Sequence, residues 1–490
     1  MQDTPSKPGD PLPLAGRKPL FRAVVLALAG LALGACAQLP QLTPSAQPKP
    51  LADYVGAESL QGGQGNWPQD RWWAAYGDAQ LDRLIGEALL GSPSMATAQA
   101  RLLQAEGVAQ QRDASLIPSL NANLSANKQK QSYNNGAPAA FVPQGYQNYG
   151  RATLDFSYEL DFWGKNHAAL AAATSDLEAA RTDAAQAALL LTTSVASSYA
   201  DLARLHAERD TAEAALKVRS QTAVLFRERF ENGLETQGSV KQAEAKRASA
   251  EADLLAADES LALTRNQLAA LLGAGPDRGL AIARPTIQLA QASGLPKEIQ
   301  AELLGRRPDV VAARLRAEAA AKRIDVAHAA FYPNVNLTAY VGVQSLGLNM
   351  LGKSGSDIGS FGPAISLPIF NTGHLQGQYR GARGEYDAAV ASYDATVTQA
   401  LHDVADVAVS ERALSERLAK TQEAVDAASE AYRIVRNRYD GGLANHLEVL
   451  TAEDTLLGNL RQLTAVQSRM FSLDIAMVRA LGGGYRVTNS

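Results

Sequence analysis

The sequence predicts a mixed α/β membrane protein, in which four amphipathic strands per chain alternate with helices far too long for a globular core, built from an internal duplication. Three observations carry that reading. Residues 167–230 and 385–440 are rich in Ala, the strongest helix former, and contain neither Gly nor Pro. At 1.5 Å per residue they predict helices of roughly 95 Å and roughly 85 Å. Each run closes on nearly the same words, RFENGLETQGSV at 229–240 and RYDGGLANHLEV at 438–449. Between the helical runs lie segments whose apolar residues recur at every second position, the period of a strand.

Composition excludes several function classes. A formal net charge of -4 over 490 residues does not suit a general nucleic-acid binder. The single Cys permits no disulfide framework and no Cys-based zinc site. The six His (His167, His206, His328, His374, His402, His446) are scattered without ligand spacing. There is no HExxH, no GxSxG, no Walker loop, and no GxGxxG following a strand. No catalytic constellation, metal site or cofactor is expected.

The N-terminus reads as a targeting segment. Arg17, Lys18 and Arg22 precede the apolar run AVVLALAGLAL, about eleven residues, too short to span a bilayer but right for a secretory h-region. It ends at Leu33-Gly34-Ala35-Cys36, which resembles the bacterial lipobox, so Cys36 is the expected lipidation site. Residue 37 is Ala rather than the inner-membrane retention signal Asp, which implies the outer membrane. The stretch before Arg17 is long for an n-region, an excess that a translation start downstream of Met1 would remove. A Pro/Gln-rich tether, QLPQLTPSAQPKPL, follows the Cys.

The duplication can be laid out residue by residue. An offset of 209 superposes the two turn stretches, and also Ala243-Glu244 on Ala452-Glu453 and Leu272-Gly273 on Leu481-Gly482. Upstream, an offset of 215 pairs Pro93 with Pro308, Arg101 with Arg316, Pro118 with Pro333 and Asn121 with Asn336. Each half opens with a helical run, 93–117 and 308–332, closed by Pro118 or Pro333. The period then falls to two. Leu120, Ala122, Leu124 and Ala126 alternate with Asn and Ser, and Val335, Leu337, Ala339, Val341 and Val343 with Asn and Thr. The return strand RATLDFSYELDFW sets Leu154, Phe156, Tyr158, Leu160 and Phe162 against a charged face, and SFGPAISLPIF alternates through Phe361, Ile365, Leu367 and Ile369. The loops between strands are long and rich in Gly, Asn and Ser.

Four strands cannot close a barrel, because the smallest transmembrane barrels have about eight. An open edge in lipid leaves backbone groups unsatisfied at a cost of several kcal/mol each. Several chains must therefore share one barrel. After each second strand comes the long helix, then a turn for which Gly233, or Gly441-Gly442, supplies positive φ, then a returning helix over 239–272 or 445–481. Returning and opening helices placed end to end match the long one, predicting antiparallel rods in coiled-coil contact.

With the lipobox, the opening WPQDRWWAAYGDAQLDRLIGEAL, the strand-to-helix junctions ELDFWGK and SLPIFNTGHL and the paired turns all in place, the mature chain resembles, nearly end to end, the TolC-like outer-membrane efflux channels. Within these it is similar to the lipoprotein branch that serves RND-type pumps. The resemblance implies a homotrimer with a twelve-stranded transmembrane β-barrel continued by a long α-helical periplasmic barrel. It further implies a passive exit duct for small molecules, anchored in outer-membrane lipid. A periplasmic adaptor (membrane fusion) protein and an inner-membrane pump, RND or other, would be its partners. The organisation expected is a signal peptide over 1–35, a tether over 36–50, and an equatorial segment over 51–92. A first repeat over 93–273, a crossover over 274–306, a second repeat over 307–482 and a tail over 483–490 follow.

In that family the turns are periplasmic tips where the adaptor docks. The resemblance assigns this to Arg229, Phe230, Gly233 and Leu234, and to Arg438, Tyr439, Gly442 and Leu443. It assigns the pore gate to Leu447, an apolar ring position, and to Glu448 and Thr451, at two positions acidic in other members; Thr451 departs from that pattern. An Arg that locks some members closed is Ala444 here. Two other readings stay open from the residues: a type I protein-secretion duct, and a structural periplasmic coiled-coil lipoprotein without membrane strands.

Overall fold

The computed structural model describes residues 39–54, 56, 60, 65–134, 138–287, 295–296 and 299–486. The signal peptide and Cys36 lie outside these. In chain order the helices and strands are α1 (Ala79–Gly91), α2 (Pro93–Ala114), β1 (Ser119–Gln129), β2 (Gln147–Leu160), α3 (Lys165–Glu231) and α4 (Gln237–Leu271). After a single helical turn at Asp277–Leu280 come α5 (Ile299–Arg306), α6 (Pro308–Ala329), β3 (Asn334–Leu346), β4 (Asp357–Ser366), α7 (Thr372–Asp440) and α8 (His446–Ala480). The duplication is visible in the lengths. Helices α2 and α6 both have 22 residues, α3 and α7 have 67 and 69, and α4 and α8 both have 35.

Two compact units make up the chain. One comprises Met1–Ser45, Ala109–Ala173 and Ala319–Asp387; the other comprises Ala46–Val108, Thr174–Glu318 and Ala388–Ser490. The first holds a four-stranded antiparallel sheet in the order β1-β2-β3-β4. Its register places the predicted apolar positions together: Leu120 faces Phe156, Ala122 faces Leu154, Leu154 faces Val341, and Ala339 faces Phe361. The other face is polar and bonded. Asn123 donates to Asp155 at 2.7 Å, Thr153 donates to the same carboxylate at 2.8 Å, and Arg151 lies over the Tyr340 ring at 5.2 Å. On the apolar face Leu124 is 82% and Phe361 91% exposed in the single chain. Both edge strands lack a further partner among the described residues.

Several boundaries differ from the sequence reading. Helices α2 and α6 stop at Ala114 and Ala329, three residues short, because a residue before Pro avoids the α region. Tighter turns replace the last helical bonds, with Leu116 N–H donating to the Asp113 carbonyl at 3.0 Å and Tyr332 N–H to that of Ala329 at 3.1 Å. Strand β2 leaves the sheet at Leu160, so Phe162 is not part of it. The cause is the Asp161 carboxylate, which accepts the His167 N–H at 2.9 Å and so serves the start of α3. Strand β4 likewise ends at Ser366, two residues before Pro368, leaving Leu367 and Ile369 outside. The largest departure is α7, which begins at Thr372 rather than 385. Its first turns contain Gly373, Gly377, Gly381 and Gly384, each costing about 1 kcal/mol against Ala. All four are exposed, while Leu375 between them is buried against Phe331, so packing on the opposite face carries the helix through.

Among the described residues the second unit has three apolar clusters. In one, Trp72, Trp73 and Tyr76 pack with Leu84 and Ile85 of α1 against Val195, Tyr199 and Leu202 of α3. Tyr76 donates its hydroxyl to Asp474 of α8 at 2.5 Å. Asp78 caps α1 and accepts the Tyr199 hydroxyl and the Thr286 N–H, both at 2.8 Å. One carboxylate thus ties α1, α3 and the segment after α4. A second cluster joins Leu303 and Val310 to Val397, Val404, Met477 and Leu481. Beside it Arg307 is buried and binds Asp309 at 2.6 Å and Asp403 at 2.8 Å. The third cluster lies at the tips.

Candidate functional site

Each tip begins as a helix that must stop. The backbone does so identically twice. Leu234 N–H donates to the Arg229 carbonyl at 2.8 Å and Gly233 N–H to that of Phe230 at 2.9 Å. Leu443 N–H donates to Arg438 at 2.7 Å and Gly442 N–H to Tyr439 at 3.0 Å. This is the Schellman arrangement, with its glycine in the left-handed region, φ 71° at Gly233 and 75° at Gly442. Of the two glycines open in the sequence, Gly442 takes that role and Gly441 keeps negative φ. The chain then re-enters a helix at once. Thr236 accepts the Ser239 N–H at 3.2 Å and caps α4; Asn445 accepts the Glu448 N–H at 3.0 Å and caps α8.

The two copies of the Arg-aromatic-x-x-Gly-Leu pattern share a backbone but not a side-chain environment. Tyr439 is buried beside Phe226, centroids 6.0 Å apart, and donates its hydroxyl to Glu235 at 3.1 Å. Arg229 lies over the same ring at 4.8 Å. Burial pushes the Tyr439 phenol up to about 12, with Glu235 adding to the shift and Arg229 opposing it. Its counterpart Phe230 is exposed. Arg438 donates to the Leu443 carbonyl at 3.1 Å and sits 3.7 Å from Glu448. The Tyr439 contacts join the hairpin α3–α4 to the hairpin α7–α8. His446 adds to them, edge-on to Phe226 at 5.5 Å.

The expected gate residues occupy one side of the first turns of α8. Leu447 is 55% exposed, as are Leu234 (65%) and Leu443 (73%). Glu448 closes a capping box, its carboxylate accepting the Asn445 N–H at 3.3 Å. Sequence reasoning missed this role, although Asn-x-x-Glu at the head of an apolar run is its signature. Thr451 turns its hydroxyl back to the Leu447 carbonyl at 2.7 Å. Among the described residues no three His, Cys, Asp or Glu side chains gather as a metal site. Among them, too, no helix is long and apolar enough to cross a membrane.

The family description "Outer membrane efflux protein" matches this chain in two segments, residues 84–274 and 300–483. The chain belongs to the outer membrane efflux protein family. It is 30% identical over 437 residues to the multidrug resistance outer membrane protein MdtP of Escherichia coli (strain K12), covering 88% of this chain and 89% of MdtP. It is 37% identical over 347 residues to the fusaric acid resistance protein FusA of Burkholderia cepacia, covering 68% of this chain and 65% of FusA. Among solved structures, the outer membrane protein VceC of Vibrio cholerae is similar at a TM-score of 0.81 with 49% identity, covering 86% of this chain and all of VceC (100%). An outer-membrane efflux protein accounts for the exposed apolar sheet face, which a soluble protein would cover.

Proposed function

We propose that three copies of this chain close one twelve-stranded barrel in the outer membrane and form a passive exit duct. The observation that carries this reading is the sheet itself: four strands, two unpaired edges, and one exposed apolar face opposite one polar face. Three sheets edge to edge would satisfy every backbone group, put the apolar face in lipid and put the Asn, Asp and Arg face around water. Cargo reaches the duct from an inner-membrane pump, RND or other, through a periplasmic adaptor, so the duct itself drives nothing and is no enzyme. The names of MdtP and FusA speak of multidrug and fusaric acid resistance, and we assign small organic molecules as the cargo class here.

The tips are the adaptor-docking surface and the pore mouth. Exposed Phe230, Leu234 and Leu443, the two leucines each held out by a Schellman turn, supply apolar contact, and Arg229, Arg438 and Tyr439 brace the turns behind them. Leu447, Glu448 and Thr451 line the gate, where three copies of Glu448 would favour cations.

Cys36 carries the lipid. The Thr43 carbonyl accepts from Arg383 at 3.2 Å, which lies 11 residues, about 17 Å, along α7 from Thr372. The seven residues from Cys36 to Thr43 reach up to about 25 Å, enough to carry an acyl chain back to the level of the strand ends. The domain limits 1–35, 36–50, 51–92, 93–273, 274–306, 307–482 and 483–490 follow from this reading. The test is the native mass of the detergent-extracted protein from purified outer membranes, followed by conductance in a planar bilayer. A complex of three chains that conducts supports the duct. A non-conducting monomer overturns it and leaves a coiled-coil lipoprotein.

A further inference from the structure

Less than one turn beyond Thr451 of the gate, the second repeat carries a pair of adjacent carboxylates, and they behave in opposite ways. Asp454 holds both helices of the other hairpin: Arg219 of α3 at 2.5 Å, and Lys246 of α4. Glu453 is only 2% exposed, and neither of its carboxylate oxygens has a hydrogen-bond partner. It occupies a core position of α8, in step with buried Val449, Leu450 and Leu457, where an apolar side chain would normally pack. Its nearest ion-pair contact, Arg219 Nε, stands 3.7 Å away. The Thr222 hydroxyl, about one turn along α3 from Arg219, and Arg436 Nε are also buried without a hydrogen-bond partner.

The duplicated half lacks this device. Glu244, the counterpart of Glu453, is paired with Arg227 and with Lys241 at 2.8 Å, and the counterpart of Asp454 is Ala245. The arrangement is therefore not something the repeat requires for its own packing.

We propose that Glu453 is the proton-sensitive release of a latch in which Asp454 clamps α8 to the hairpin α3–α4, so that ionisation of Glu453 loosens the closed tip. This deepens the reading of the tips as the pore mouth and rests on it. The groups facing Glu453 are Arg219 from α3, Lys246 from α4, Arg436 from α7 and Asp454 on its own helix. Burial raises its carboxyl above the usual range, against the pull of Arg219. Burial also acts on Asp454, but the bonds from Lys246 and Arg219 outweigh it and hold that carboxyl low. The clamp thus stays charged while the release titrates. A charge forced onto a buried, unbonded carboxylate favours any state in which water reaches it. The tip should therefore be tightest in acid and open more readily as pH rises.

The experiment is single-channel conductance of the full-length, detergent-purified protein, scanned from about pH 4 to about pH 9, upward from the ordinary carboxylate range because burial raises the group. A Glu448→Gln background removes the carboxylate at the mouth. Wild-type open probability should rise with pH. Glu453→Gln should lose that rise and stay near the acid value throughout, and Glu453→Asp should restore it. Arg219→Lys, which keeps the charge but shortens the reach to Asp454, should weaken the clamp and move the profile to lower pH, and it serves if Glu453→Gln does not assemble. An unchanged profile in Glu453→Gln, or an unshifted one in Arg219→Lys, overturns the latch alone. No conductance in the wild type overturns the duct reading and the latch with it.

Discussion

Four glycines terminate the helices that double back, and they separate conformational strain from steric strain. Gly233 and Gly442 end α3 and α7; Gly273 and Gly482 end α4 and α8 in the same backbone motif, with φ 73° and 89°. The last two again form Schellman bonds, Ala274 N–H to the Ala269 carbonyl at 3.0 Å and Gly483 N–H to Val478 at 2.9 Å. Replacing any of the four by Ala places an L-residue in the left-handed region, at roughly 1–2 kcal/mol. At Gly233 and Gly442 a new Cβ meets nothing within 4 Å, so that is the whole cost. At Gly273 it would fall far inside contact distance of the Gly91 carbonyl, and at Gly482 of the Arg306 carbonyl. Residues 91 and 306 are themselves related by the upstream offset of 215, so one close approach occurs once in each half. A clash with backbone cannot be relieved by a rotamer change and adds about 1–3 kcal/mol. Gly273→Ala and Gly482→Ala should therefore cost about 2–5 kcal/mol, and Gly233→Ala and Gly442→Ala about 1–2. The assay is loss of helical circular dichroism on heating, read as a rank order, because a 490-residue chain with two compact units does not qualify as a small two-state domain. Four variants melting together, or tip variants melting first, would refute the reasoning.

Other expectations follow from the same geometry. Asp78→Asn should lower the melting temperature at neutral pH and remove part of the loss of stability in acid. Burial pushes the Asp78 carboxyl up, but bonds from Thr286, Tyr199 and Gln80 outweigh it and hold it below the ordinary value. Such a group stabilises the fold above its unfolded pKa and stops doing so as pH falls through its folded one; an unaltered acid limb in the variant would contradict this. Asn445→Ala should destabilise α8 by about 1 kcal/mol through loss of the cap, seen as faster hydrogen exchange at residues 446–449. Glu448→Gln keeps a capping-box side chain while removing the charge, so the fold should hold and cation preference in reversal-potential measurements should fall. Leu234→Asp with Leu443→Asp should leave the melting curve within about 0.5 kcal/mol of wild type, as surface changes do, while abolishing co-purification of a crosslinked periplasmic adaptor. Cys36→Ser should end incorporation of labelled palmitate; continued labelling would place the lipid elsewhere.

The sequence alone determined what depends on local rules. Gly233 and the pair Gly441-Gly442 mark turns because only Gly enters the left-handed region cheaply, and Pro118 and Pro333 mark where helix gives way to strand. Period-two alternation at 120–126, 151–160 and 335–343 set which strand residues share a face, because side chains on a strand alternate rigidly. The repeat was legible because both halves obey the same rules at the same spacing. Only the tertiary structure decided what depends on distant neighbours. Helix α7 runs through four glycines because Leu375 finds Phe331, a partner that no window around 372 contains. Phe230 and Tyr439 read as equivalents, yet one is exposed and the other buried, because Tyr439 packs into the cluster that both hairpins share and Phe230 does not. Glu448 read as a solvated or pore-facing acid and proved also to cap its helix. Glu453 read only as a matched position of the repeat, and proved to be a buried carboxylate without a hydrogen bond. A carboxylate's role is set by the partners and the burial around it, and those are supplied by residues about two hundred positions away.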